Sequence, residues 1–153
     1  MEIRLATLDD IENLCNLVTE FFAYNAKLQP NICNAAIENG KYLEVVIQDE
    51  QADIFIAVDN GDIVGFMHIM VSATPPYDSL VQHKFVEIMA FMVTASCRRK
   101  NIGSKLMDAA AEWGKARNLE YIELVALANA EAANAFYQHY GFKTEAHVMR
   151  RSL

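Results

Sequence analysis

Cysteine is scarce in this chain: Cys15, Cys33 and Cys97 are scattered, and no pair has metal-ligand spacing. A disulfide framework and a zinc site are therefore not expected, and a reducing compartment, the cytoplasm, is. Three prolines and six glycines are too few for collagen-like or linker-rich organisation. No run approaches the ~20 apolar residues of a membrane span. The opening Met1-Glu2-Ile3-Arg4 lacks the apolar stretch of a signal peptide. Neither a metal nor a membrane partner is expected. Positive charge is also in deficit, with 13 Lys and Arg against 20 Asp and Glu, a net charge of −7. Such a chain repels nucleic acid, so none is expected as a partner, and its field can attract cations.

What is present fits an ordinary folded domain. Hydrophobic residues make up 53% and charged residues 22% of 153 positions, enough for a core and short enough for one domain over 1–153. Residues 3–6 read as a short edge strand. Asp9 and Asp10 suit a helix start, and Ile11, Leu14, Cys15, Leu17, Val18, Phe21 and Phe22 follow at helical spacing. Residues 25–31, with Pro30, interrupt this helix, and a weaker helical stretch covers about 32–46.

The period then changes to that of strands. Residues 53–58 and 63–71 flank the turn Asp59-Asn60-Gly61-Asp62, which predicts a hairpin. Thr74-Pro75-Pro76-Tyr77-Asp78 is a loop, and residues 84–93 form an almost continuous apolar run, as in a strand buried on both faces. Ile102, Leu106, Met107, Ala110 and Trp113 mark a helix that ends near Asn118. Residues 120–125 alternate as a strand. Asn129 can cap a helix carrying Ala133, Phe136, Tyr137 and Tyr140, which Gly141 ends. Residues 142–151 are expected to form a last strand or hairpin. This order is a mixed α/β fold of α+β layers.

One segment departs from the acidic background. Arg98-Arg99-Lys100-Asn101-Ile102-Gly103-Ser104-Lys105 carries four cations and leads into a helix. Unpaired N–H groups and the dipole at a helix start favour an anion. With Arg98, Arg99 and Lys100 added, the loop suits a pyrophosphate, although a solvated surface run is the plainer reading. It is not a Walker A loop, because Gly103-Ser104-Lys105 has the wrong order and no upstream glycine. Nor is it a dinucleotide fingerprint, because G-x-G-x-x-G is absent.

The loop resembles that of the GCN5-related N-acetyltransferase (GNAT) superfamily, [QR]-x-x-G-x-[GA], matched by Arg98-Arg99-Lys100-Asn101-Ile102-Gly103 with Ser104 and Leu106 following. Phe91-Met92-Val93 stands where the family has an L-x-V strand end. Ala133, Phe136-Tyr137 and Gly141-Phe142 match A-x-x-F-Y-x-x-x-G-F. The resemblance covers nearly the whole chain in order. It implies a central, mixed, mostly antiparallel twisted sheet of about six or seven strands with about four flanking helices and two splayed parallel strands in the middle. There are two departures. The first family glycine is Asn101, the non-glycine residue type most tolerant of left-handed backbone. The family asparagine seven residues before the tyrosine is Ala130, with Asn129 one residue earlier. Asn129 is thus either a pantetheine ligand or only a helix cap.

The resemblance implies acetyl-CoA as co-substrate and direct transfer of its acetyl group to a primary amine of a small molecule or peptide. Pantetheine would lie between strands ending near Val93 and Val125, on the backbone of Met92 and Val93, with one N–H polarising the thioester carbonyl. The pyrophosphate would sit on Arg98, Arg99, Lys100, Asn101, Ile102, Gly103 and Ser104. Tyr137 would give the departing thiolate a proton, or else is a half-buried tyrosine with a structural role. Glu87 is the candidate base, because a carboxylate in an apolar run is costly to bury and points to a cleft. A strand carboxylate paired with a cation is the plainer reading. His68 and His83 are rival bases. Cys97 is expected to be structural. Phe21, Phe22 and Tyr24 either line the acceptor pocket or are ordinary core and loop aromatics. A non-catalytic acyl-CoA-binding regulatory module and a nucleotide-binding protein remain the alternatives. Homodimers occur among similar proteins, and no residue here decides that question.

Overall fold

The computed structural model describes residues 1–153. Its sheet has five strands in the order β1 (Glu2–Leu5), β2 (Ala52–Asp59), β3 (Asp62–Ala73), β4 (Lys84–Val93) and β5 (Ile122–Leu124). Neighbours are antiparallel except β4 and β5, which run parallel. Four helices surround it: α1 (Ile11–Leu28), α2 (Lys41–Ile47), α3 (Ile102–Ala116) and α4 (Glu131–Tyr140).

Alternation along the strands divides the core between the two faces of the sheet. Ile54, Ile56 and Phe66 point to one face, under Leu14, Leu17 and Val18 of α1 and Leu43 and Val46 of α2. Ala57, Met67, Ile69, Val86 and Ile88 point to the other, under Ile102, Leu106, Met107, Ala110 and Trp113 of α3. The helical spacing of these α3 residues and the unbroken apolar run of β4 both follow from this. A strand sandwiched between helices on both faces needs no polar side. Helix α3 lies so close to β4 that a Cβ at Gly114 would stand 2.5 Å from Val86 Cγ2.

Several expected boundaries move, each for a local reason. Helix α1 runs through Asn25 to Leu28, since Ala26, Lys27 and Leu28 are good helix formers. It stops where Gln29 precedes Pro30 and turns to φ −136°. The stretch 32–40 is not helical, and only 41–47 of the expected helix forms. Gly40 breaks it with φ +90°, and a Cβ there would stand 2.8 Å from Ile11 Cγ2, so only glycine fits under α1.

Residues 142–153 form no strand, so the sheet has five strands rather than six or seven, and β5 is its edge. A strand exists only with a partner, and β5 offers three residues of edge. Beyond the Phe142 N–H bond to Tyr137 O, no backbone bond holds this segment, and Val148 and Met149 are exposed.

Candidate active site

The strand β4 pairs with β3 from Lys84 to Val93, but with β5 only at Val86, Glu87 and Ile88. Beyond Ile88 its other edge carries no strand. The ladder to β3 slips at the same place, because His68 faces Ala90 while Ile69 faces Ile88. Met89 is therefore an extra residue, a bulge of the kind that re-aims side chains beside functional sites. Met92 puts its side chain into the α1 and α2 side of the core, and Val93 packs on the α3 side. The Val93 carbonyl accepts a bond from Arg98 Nε at 3.2 Å.

Beyond β4 a single turn, Ala95–Cys97, leads into the basic loop. Arg99 and Asn101 both take φ +61°, in the left-handed region. The first bond into α3 runs from Lys105 N–H to Asn101 O. The backbone N–H groups from Arg99 to Ser104 thus have no partner within the chain, and alternating left-handed residues aim such groups into an anion-binding concavity. Arg98, Arg99 and Lys100 are exposed and form no ion pair. Thr94 Oγ1, just ahead of the loop, is buried without a hydrogen-bond partner. Ile102 contributes its side chain to the core. Gly103 lies against Phe91 and Phe136, where a Cβ would come within 3.3 Å of the rings. These two residues can offer an anion only their backbone.

Through Phe91 and Phe136 the loop meets Tyr137. Its ring packs on Phe91, Phe136 and Phe142, and burial, with the Tyr24 phenol as a lesser cause, pushes its pKa up to about 12. Asn129 neither caps α4, whose N-cap is Ala130, nor leaves its amide free. Asn129 Nδ2 donates to Leu28 O at 2.7 Å, and Oδ1 accepts from Gln29 Nε2. The loop before α4 is instead held by Asn134, which bonds the carbonyls of Leu127 and Ala128.

Glu87 is half-buried and has no cationic partner; its Oε2 accepts from Ser72 Oγ at 2.5 Å. It lies on the face of the sheet under α1 and α2. His68 lies there too and is buried, with Nδ1 2.6 Å from Tyr42 Oη. Desolvation pushes its pKa down to about 4, against the opposing charges of Asp49 and Glu87. His83 is elsewhere, bonded to Glu120 Oε2 at 2.6 Å. Cys97 is buried in the core cluster under α3. Phe21 and Phe22 line a cavity of about 190 Å³ together with Tyr42, Phe66, His68 and Met89. Tyr24 is not among its walls. Sequence reading overlooked Ser72, Tyr42 and Glu38. Each lies far from its partner in the chain or sits in the poorly patterned stretch before α2, so no spacing signal marked it.

A two-sided mixed sheet, a parallel pair that parts beyond Ile88, and a basic helix-start loop at the parting define an acyltransferase-type architecture. The sequence matches the Acetyltransferase (GNAT) family over residues 11–142, and the chain belongs to that family. An uncharacterized N-acetyltransferase of Archaeoglobus fulgidus is 28% identical over 144 residues, covering 90% of this chain and 89% of that protein. The crystal structure of a mutant of the BH1408 protein from Bacillus halodurans superimposes with a TM-score of 0.93 at 28% identity, covering 100% of this chain and 99% of that one. An aminoglycoside N-acetyltransferase, AAC(6')-Iy in complex with CoA, shares the fold, with a TM-score of 0.76 at 16% identity over 99% of this chain and 98% of that one. No helix of this chain is long and apolar enough to cross a membrane.

Proposed function

We propose that residues 1–153 are one N-acetyltransferase domain that moves the acetyl group of acetyl-CoA onto a primary amine in a ternary complex. One observation carries this reading. The edge of β4 is released after Ile88 and leads directly to unpaired N–H groups and unpaired cations between Arg98 and Ser104. A released strand edge suits the amides of a pantetheine arm, and the loop suits a pyrophosphate. The CoA bound to the structural neighbour supports the same assignment. Asn129 has its amide engaged on the end of α1, so the arm would rest on backbone rather than on that side chain.

The chemistry follows from the groups at hand. The amine loses a proton to Glu87, directly or through water, and its lone pair attacks the thioester carbonyl carbon. A backbone N–H of Met92 or Val93 stabilises the oxyanion. The C–S bond then breaks, and the sulfur takes the Tyr137 proton, which a phenol with a pKa near 12 retains until it is needed. His68 is a poor base, since it is already bonded to Tyr42 and disfavours the charged form.

Thermal unfolding with acetyl-CoA, ATP or NAD, followed by a thiol-release assay across amines, tests this. Acetyl-CoA at 100 times its dissociation constant should add about 2.7 kcal/mol of stability. Stabilisation by ATP alone would replace the reading with a nucleotide-binding one. Stabilisation by acetyl-CoA without release to any amine would leave a non-catalytic acyl-CoA-binding module.

A further inference from the structure

The cavity between α1, α2 and the sheet holds about 190 Å³ and reaches β4 at Met89 and Ala90. These are the bulge residues, next to the point where β4 parts from β5. Nine of the eleven lining residues are hydrophobic, which sets the chemistry of any occupant. An apolar cavity of about 150 Å³ takes up benzene, whereas a drug-sized site begins at about 300 Å³. The space within these walls therefore fits one ring-sized apolar group.

The polar features are few and unequal. His68 is bonded to Tyr42, so the floor they form is satisfied and bears no charge near neutral pH. Glu38 is the one carboxylate of the lining. It is half-buried, Oε1 accepts from Gly40 N–H at 2.8 Å, and no Lys, Arg or His pairs with it. A fixed, uncompensated anion on an apolar wall is complementary to an ammonium.

We propose that the acceptor is a primary amine joined by a short chain to a single ring-sized apolar group. Phe21, Phe22 and Met89 enclose the apolar group, and Glu38 draws in the ammonium. This assignment rests on the acetyl-transfer reading above and narrows it to a substrate class. It argues against polycationic or polyhydroxylated acceptors, whose remaining polar groups would be stranded on apolar walls.

The test compares phenethylamine, spermidine and kanamycin as acceptors of acetyl-CoA by thiol release. Calorimetry of each amine is run in parallel on protein saturated with CoA. Phenethylamine should show kcat/KM at least about tenfold above the other two, the scale expected for burying one aromatic ring. Glu38→Gln keeps the oxygen that accepts from Gly40, so the turn is retained, and should raise KM for phenethylamine about tenfold with kcat little changed. Its acetyl-CoA-dependent thermal shift should remain wild type, which checks folding. Preference for spermidine or kanamycin, or failure of phenethylamine both to bind and to react, overturns the assignment while leaving acetyl transfer standing. Binding of phenethylamine to the CoA-loaded protein with no thiol release supports the cavity assignment and overturns the transfer reading instead.

Discussion

Tyr42 Oη lies 2.6 Å from His68 Nδ1, and the two rings meet edge to face with centroids 5.6 Å apart. His68 comes from the middle of β3 and Tyr42 from the start of α2, so the bond fastens the short helix to the sheet. A seven-residue helix is too short to be stable on its own. It needs such a tether beside the packing of Leu43 and Val46.

The buried histidine makes stability depend on pH. Its folded pKa of about 4 lies below the ordinary 6.5, so the unfolded chain binds the extra proton between these values. Stability is therefore complete above pH 6.5 and falls as pH drops toward 4, by up to ~3 kcal/mol. Denaturant titrations from pH 7.5 to 4.5 should show this slope, and His68→Gln should flatten it. Tyr42→Phe should lose about 1 kcal/mol at pH 7.5 by leaving Nδ1 without its partner.

Asp10 governs a separate, more acidic window. Arg4 binds both carboxylate oxygens at 2.8 Å, and Thr7 donates to Oδ2 through N–H and Oγ1. The Arg4 bonds chiefly, with those from Thr7 adding, hold Asp10 well below the ordinary carboxylate range against the cost of burial. Its contribution is present in full above an unfolded pKa near 4 and is lost progressively as pH falls from there toward the much lower folded pKa. Asp10→Asn should lower stability at pH 7 by about 1–3 kcal/mol. In acid titrations the gap between variant and wild type should begin to narrow near pH 4 and still be open at about pH 3.

Most of this fold could be read in the sequence wherever a pattern repeats. The helix at Ile102, Leu106, Ala110 and Trp113 buries those residues because one stripe faces one sheet. The apolar run of β4 reflects helices on both faces. What escaped depends on single residues or on distant partners. Pro30 sets the end of α1 while Asn25 does not, and Gly40 interrupts the helical stretch with its φ of +90°. The strand or hairpin expected at 142–151 does not form, because local sequence cannot supply the neighbouring edge a strand needs. In the site, the loop was legible because its cations and helix start are contiguous. The Ser72–Glu87 and Tyr42–His68 pairs join residues separated by 15 and 26 positions, and only the folded sheet brings them together.

Asn101 tests how much the loop depends on its backbone. At φ +61° an ordinary side chain costs about 1–2 kcal/mol, which asparagine largely avoids and glycine avoids entirely. Asn101→Ala should therefore lower stability by about 1–2 kcal/mol. Asn101→Gly should leave stability within about 0.5 kcal/mol and match or exceed wild-type acetyl-CoA binding, since the N–H concavity is kept. Thermal unfolding of the three proteins with and without acetyl-CoA measures both quantities. If the glycine variant binds acetyl-CoA more weakly, the Asn101 side chain itself contributes to the site.

Tyr137→Phe separates chemistry from packing at the site. The ring contacts with Phe91, Phe136 and Phe142 belong to the aromatic ring and survive removal of the hydroxyl. The hydroxyl donates no hydrogen bond within the chain that folding would miss. The variant should keep its melting temperature and its acetyl-CoA-dependent stabilisation. Its kcat should fall about 100-fold, the lower range for losing a positioned general acid. With a pKa near 12 the phenol is protonated throughout the working range, so wild-type kcat should show no alkaline limb from Tyr137 below pH 10. Thiol release under saturating amine, measured from pH 6 to 10 for both proteins, checks the drop and the profile together. A kcat within about twofold of wild type would mean that water protonates the thiolate and that Tyr137 serves only to pack the loop against α4.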